Sequence, residues 1–271
     1  MSYKLVVFDL DGTILTENFE LLPSTLAAVQ AIRESGFRVS VATGRSYQSA
    51  KPFLDQLEII EPMVFSNGSV YDNPDTGERE LISGIPLETA LIVLMLLPEF
   101  KISLKMHMTG SRLFKSDSTP WPDEGVNFEV GEIHQNLKAD LIEDPIKIVF
   151  YADDRERMDA FEARLAEILG NKSQVRMFRS HPRYVEMTNK SVSKGGSVRK
   201  LIDQLGIKPE EVIGVGDQDN DFELIRDFGW GVVAGAGTPK LLEVCKLQIP
   251  SPEEGGIEIL KDWIQQQKSE E

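Results

Sequence analysis

Fully apolar runs alternate with stretches of helical period at both ends of the chain. Residues 4–8, Lys4 followed by Leu5, Val6, Val7 and Phe8, show no polar alternation after the first position, which predicts a strand buried on both faces. Pro23 and Ser24 open a helix with Ser24 as the expected cap, Leu26, Val29 and Ile32 recur at a spacing of three, and Gly36 ends it. Residues 37–42 read as the next strand, 46–57 as a helix carrying Pro52, and 63–66 as a third strand. That order predicts a parallel α/β sheet. The same alternation returns late in the chain: a helix over 193–205 stopped by Gly206, a strand over 211–215, a short helix over 222–228, a strand over 231–234, and helices over 239–246 and 257–267. Both ends read as halves of one doubly wound, Rossmann-like parallel sheet.

Between these halves the pattern changes. Helices are predicted over 86–97 and 153–169, and strands over 102–106, 112–115, 146–151, 175–179 and 183–188. Short turns at 108–111 and 180–182 suggest antiparallel hairpins. The expectation is a core of residues 1–82 and 189–271 with an α+β module, residues 83–188, inserted into it.

Charge and length narrow the setting. A chain of 271 residues suits two domains of unequal size. With 29 Lys plus Arg against 44 Asp plus Glu, the formal net charge is −15. Such a surface repels a nucleic-acid backbone or an anionic membrane, but leaves room for a local positive pocket that takes a small anion. Cys245 is the single cysteine, which excludes an internal disulfide framework, and it reads as a packing residue. His107, His134 and His181 show no zinc-ligand spacing and no evident partner for general-base work. The longest apolar run, residues 90–97, is far short of the roughly 20 residues of a membrane-spanning helix. Asp9 and Asp11 interrupt the first apolar run too early for a signal peptide. A soluble, cytoplasmic protein is expected, and its oligomeric state is not legible.

Candidate chemistry lies where strands end. Asp9 and Asp11, in Asp9-Leu-Asp-Gly-Thr13, leave the first strand at the carboxyl edge, where α/β sheets bind ligands. Two carboxylates so close repel each other unless a cation or a function offsets the cost. Thr43 ends the second strand, Lys194 opens a helix, and Gly216-Asp-Gln-Asp-Asn-Asp221 adds oxygen ligands after a later strand. Oxygen ligands without His or Cys suit Mg²⁺ rather than zinc. Such a set is what phosphoryl transfer requires. Each residue also has a plainer reading. Thr43 could cap the next turn, Asp221 could cap a helix, and Arg45 and Asn67 could serve turns or contact substrate. Lys194 could be a solvated lysine, although the helix dipole disfavours a cation there. Trp121, between Pro120 and Pro122, could stack on a sugar or pack on its own prolines.

The order Asp9-x-Asp11-Gly-Thr13, Thr43, Lys194, Gly216-Asp217-x-x-Asn220-Asp221 resembles the four motifs of the haloacid dehalogenase superfamily. An insertion between the second and third motifs resembles the class with a type IIB cap, the Cof-like sugar-phosphate phosphatases. Ser66-Asn-Gly68 and Glu254-Gly-Gly256 are smaller echoes, whereas Asn189-Lys-Ser191 and Gly235-Ala-Gly237 depart from the family's usual residues. The resemblance implies that Asp9 is the nucleophile, forming an aspartyl-phosphate, and Asp11 the general acid and base. Thr43, Gly44 and Lys194 would hold the phosphoryl oxygens. Mg²⁺ would bind the carboxylates of Asp9 and Asp217 and the backbone carbonyl of Asp11, with Asn220 and Asp221 ordering nearby water or Lys194. The implied activity is phosphomonoester hydrolysis of small phosphorylated metabolites, sugar phosphates first. A phosphomutase or a catalytically silent sugar-phosphate sensor are the alternatives.

Overall fold

The computed structural model describes residues 3–109, 112–116, 132–133, 137–170, 173–181 and 183–269. They divide into two compact units, Met1–Glu80 with Ser193–Glu271, and Leu81–Val192.

The first unit opens with β1 (Leu5–Phe8), every residue of which is buried. α1 (Pro23–Glu34) corrects the expected cap: Pro23 is already helical, Ser24 lies inside the first turn, and Leu22 precedes it without a side-chain hydrogen bond. Proline's fixed φ and missing N–H suit the first helical position. β2 (Arg38–Val41) and α2 (Tyr47–Leu57) follow, and Ser46 caps α2 by accepting from Ser49 N at 3.3 Å. Pro52 does not break α2. Three short strands, β3 (Met63–Phe65), β4 (Val70–Asn73) and β5 (Glu78–Leu81), complete this half.

The second unit runs through α3 (Leu87–Phe100), β6 (Ser103–His107), β7 (Leu113–Ser116), β8 (Glu132–Ile133), α4 (Leu137–Asp140), β9 (Lys147–Tyr151), α5 (Arg155–Leu169), β10 (Val175–His181) and β11 (Tyr184–Asn189). Its sheet has the order β10-β11-β9-β6-β7-β8. Antiparallel pairing of β6 with β7 and of β10 with β11 matches the expected hairpins. Side chains alternate between faces. Leu104, Met106, Ile148, Phe150, Val185 and Met187 belong to one apolar core with Val93 and Leu97 of α3 and Phe161 and Leu165 of α5. Ser103, Lys105, His107 and Lys147 occupy the alternate positions and are also buried. α3 continues three residues beyond the expected end at Leu97, passing Pro98, and this carries Phe100 onto the core, its ring edge-on to Phe161 at 5.8 Å. Trp121, His134 and Pro182, and part of the turn at 108–111, lie outside the described residues.

The chain returns to the first unit through α6 (Lys194–Leu205), β12 (Val212–Gly216), α7 (Phe222–Arg226), β13 (Trp230–Ala234), α8 (Pro239–Leu242), β14 (Leu247–Ile249) and α9 (Gly256–Ser269). The main sheet has the order β14-β13-β12-β1-β2, and all its pairs are parallel. Two sequence expectations change here. The third strand, β3, makes a single parallel bridge to the core, Ala42↔Val64, and its ladder is antiparallel with β4. Ser66 and Asn67, with φ of 52° and 56°, reverse the chain so that β4 folds straight back. The helix expected over 239–246 stops at Leu242, since Lys246 N donates to Gly231 O at 2.8 Å and draws the chain into β14. Among the described residues, no helix is long and apolar enough to cross a membrane.

Candidate active site

Parallel strands all finish at one edge, so residues just beyond β1, β2 and β12 converge. Register pairs Phe8 with both Val215 and Val41, and Asp9 N donates to Val215 O at 2.9 Å. Asp9 therefore leaves β1 beside Gly216 and Asp217. Gly12 has φ +73° and a Cβ there would collide with the Asp217 carboxylate, so glycine lets the loop close. Thr13 Oγ1 donates to Asp217 Oδ1 at 3.3 Å, and Gln218 Nε2 donates to Oδ2 at 3.0 Å.

Lys194 is the first residue of α6, behind Ser193, whose hydroxyl caps the helix by accepting from Gly196 N at 3.0 Å. Its side chain is 1% exposed, and Nζ donates to Asp221 Oδ1 at 2.7 Å and lies 2.8 Å from Asp9 Oδ1. Asp221 ends the turn after β12, fully buried, with Oδ2 accepting from Asp217 N at 3.1 Å and Gln218 N at 3.2 Å. Asp221 precedes α7 without capping it by its side chain; Oδ2 closes the turn from Asp217 and Oδ1 anchors the lysine.

The carboxylates of Asp9, Asp217 and Asp221 place oxygens within 4.8 Å of one another. Three carboxylates against one ammonium leave a formal −3 + 1 = −2. Burial pushes the Asp9 carboxyl well above the ordinary range; Lys194 pulls it down, while Asp221, Asp217 and Asp11 push it up. Asp217 is pushed up to about 6, chiefly by burial and then by Asp221. Burial works against the charge on Lys194, yet Asp221 and Asp9 hold its pKa above the usual lysine value. A largely buried, oxygen-only set of carboxylates with uncompensated negative charge fits a hard divalent cation.

The remaining candidates form a second group at the same edge. Thr43 is fully buried; its N donates to Val64 O at 2.9 Å and its Oγ1 accepts from Arg45 N at 3.1 Å. Asn67, held left-handed, receives a bond on Oδ1 from Asn220 Nδ2 at 2.9 Å, and its amide lies against Gly44. Arg45 turns to Asp11, whose carboxylate it grips with Nε and Nη2. Every candidate site residue falls in the first unit. Sequence reasoning missed Thr13 and Gln218 as partners of Asp217 and Arg45 as the partner of Asp11. Asp221 was expected among the oxygen ligands and beside Lys194, and it lies there. Cys245 packs with Ile225, Val233 and Leu241.

A doubly wound α/β unit with a lysine-paired carboxylate cluster at its carboxyl edge has the layout of an α/β enzyme site. Residues 6–259 match the model of the haloacid dehalogenase-like hydrolases; the chain belongs to that family, as a Cof-like member, and is a phosphoric monoester hydrolase. The 5-amino-6-(5-phospho-D-ribitylamino)uracil phosphatase YitU of Bacillus subtilis is 25% identical over 271 residues, spanning 96% of this chain and 97% of its own. A solved haloacid dehalogenase-like hydrolase from Bacteroides thetaiotaomicron superposes with a TM-score of 0.86 at 23% identity, over 98% of this chain and 99% of that one. A solved subclass IIB sugar phosphatase superposes with a TM-score of 0.78 at 20% identity, over 96% of this chain and 98% of that one. Both structural likenesses show the fold.

Proposed function

We propose that the protein is a Mg²⁺-dependent phosphatase of small phosphorylated metabolites, sugar phosphates first, working through an aspartyl-phosphate. The observation that carries this reading is the buried set of Asp9, Asp217 and Asp221 around Lys194. A carboxylate of Asp9 attacks phosphorus as the bond to the leaving oxygen breaks, and Asp11 gives that oxygen a proton. Asp11 then takes a proton from water as the water oxygen attacks phosphorus, the bond to Asp9 breaks, and inorganic phosphate leaves. Thr43, Gly44 and Lys194 hold the phosphoryl oxygens, and the lysine eases approach of an anion to Asp9. Asp9, Asp217 and the Asp11 carbonyl would hold Mg²⁺. Bound there, the cation neutralises charge on nucleophile and phosphate. Asp221 is a supporting residue in this scheme, because both its oxygens already accept hydrogen bonds.

Residues 81–192 act as the module that selects among leaving groups. YitU, by its name, acts on a phosphorylated ribityl compound, which supports a small polyhydroxyl substrate. An acidic chain with one free cysteine suits the cytoplasm. The test is phosphate release across a metabolite panel, with and without EDTA and with and without a bisphosphate. Turnover of a subset, lost in EDTA and restored by Mg²⁺, is expected. Full activity in excess chelator would contradict the metal assignment, and activity only with a bisphosphate activator would indicate a mutase.

A further inference from the structure

Arg45 is held more firmly than a residue waiting for substrate needs to be. Its Nε lies 3.0 Å from each oxygen of the Asp11 carboxylate and its Nη2 lies 2.6 Å from Oδ1. Nη1 donates to Ser49 O at 3.3 Å, in the first turn of α2. The rings of Phe19 and Phe53 lie 5.1 and 4.9 Å from the guanidinium carbon. Its backbone N–H is committed to Thr43 Oγ1. The arginine side chain is 11% exposed, whereas that of Asp11 is 39% exposed. The cation is enclosed by the protein, and the acid it grips is the more open partner.

A guanidinium is a rigid planar fork, and its two-pronged grip on a carboxylate fixes direction as well as distance. Here that direction is anchored from two further sides, by a carbonyl and by aromatic rings. Asp11 itself sits in a loop after β1 with no such anchorage of its own side chain. We infer that Arg45 is a positioning residue for proton transfer: it aims the Asp11 carboxyl and does not itself contact the substrate. The inference rests on the assignment of Asp11 as general acid and base. In the first half-reaction the proton passes from Asp11 to the departing oxygen as the phosphorus–oxygen bond breaks. In the second, a proton of the attacking water passes to Asp11. An aimed carboxyl serves both transfers, because a misplacement of about an ångström can cost on the order of 10² in rate.

The test compares phenyl phosphate, whose leaving oxygen needs a proton, with dinitrophenyl phosphate, whose leaving group departs as the anion. The readout is kcat/KM, which covers events up to transfer of the phosphoryl group to Asp9. In Arg45→Gln the ratio of kcat/KM for phenyl over dinitrophenyl phosphate should fall about 10²-fold, within the range of general acid catalysis. Arg45→Lys, which keeps the charge between the two rings but loses the fork, should show the same split and supplies the readout if the glutamine variant does not fold. An unchanged ratio in a folded variant, whether both substrates suffer equally or neither does, would overturn the inference. Asp11→Asn is the control. If it splits the two substrates and the Arg45 variants do not, the positioning role alone fails; if Asp11→Asn shows no split, the assignment of Asp11 fails and the inference with it.

Discussion

The two units bury polar side chains in contrasting ways. In the first, Asp9, Thr43, Lys194 and Asp221 are buried together at one edge of a sheet whose interior strands β1 and β12 are apolar throughout. In the second, Ser103, Lys105, His107 and Lys147 are buried along the strands themselves, on alternate positions of β6 and β9. Strand direction accounts for the difference. Parallel strands end at a common edge, so the residues that follow them meet at one point. Antiparallel neighbours end at opposite edges, and their polar residues spread over a face instead. Convergence suits bond-making chemistry, in which every group must reach one atom. A spread face suits graded recognition.

The contrast can be broken most sharply at Asp9, the proposed nucleophile. Asp9→Asn is nearly isosteric and should lower phosphate release by at least about 10³, on the order of 4 kcal/mol of barrier, for every substrate alike. A tenth of normal activity, with contamination ruled out, would defeat the assignment. Next in size is a stability effect of convergence. Lys194→Met strips the cation from Asp9 and Asp221 in a fully buried setting, and should cost about 3–5 kcal/mol in urea unfolding carried out in chelator. Asp9→Asn keeps the Lys194–Asp221 pair and relieves repulsion among the carboxylates, so its loss should be much smaller. The reverse order would show that the cluster is held by something other than the lysine.

The smallest effects belong to the spread face. Lys105→Gln and Lys147→Gln leave every group of the proposed phosphoryl site in place and should change kcat/KM for p-nitrophenyl phosphate by less than about threefold. Lys147 has Glu186 at 3.5 Å across the sheet, so Glu186→Gln belongs in the same series. A series in which all substrates fell in parallel would dissolve the proposed division of labour between the units.

What the sequence disclosed follows the same line. Continuous apolar runs marked β1 and β12, and the residues placed just after them, Asp9, Asp11 and Asp217, meet at the edge where such runs predict a site. Two short strands did not announce themselves: β4 and β5 carry Asp72, Asn73, Glu78 and Arg79, too polar to separate from a loop. The helical spacing after Pro239 hid β14, whose start is decided by the bond from Lys246 to Gly231. Motif spacing placed Asn67 and Asn220 near the chemistry, but their mutual hydrogen bond joins residues 153 positions apart and has no local signature. Arg45 was legible as a site residue. Its grip on Asp11, set by the shelf of Phe19 and Phe53, was not.

Pairing of β1 with β12 also orders events in time. Residues 81–192, a contiguous stretch with its own sheet and core, are synthesised between the two strands. Domains generally fold as units during synthesis, those nearer the amino terminus first. Here the unit that is continuous in sequence emerges whole, while Asp9, Asp11 and Thr43 still wait for partners that do not yet exist. Long-range strand pairing is slow to form because the loop must close before its contacts repay the entropy. Lys194, Asp217 and Asp221 arrive only with the last third of the chain. Under the proposed assignment the nascent protein is therefore chemically mute through most of its own synthesis, and its final segment completes the proposed catalytic set and the core together.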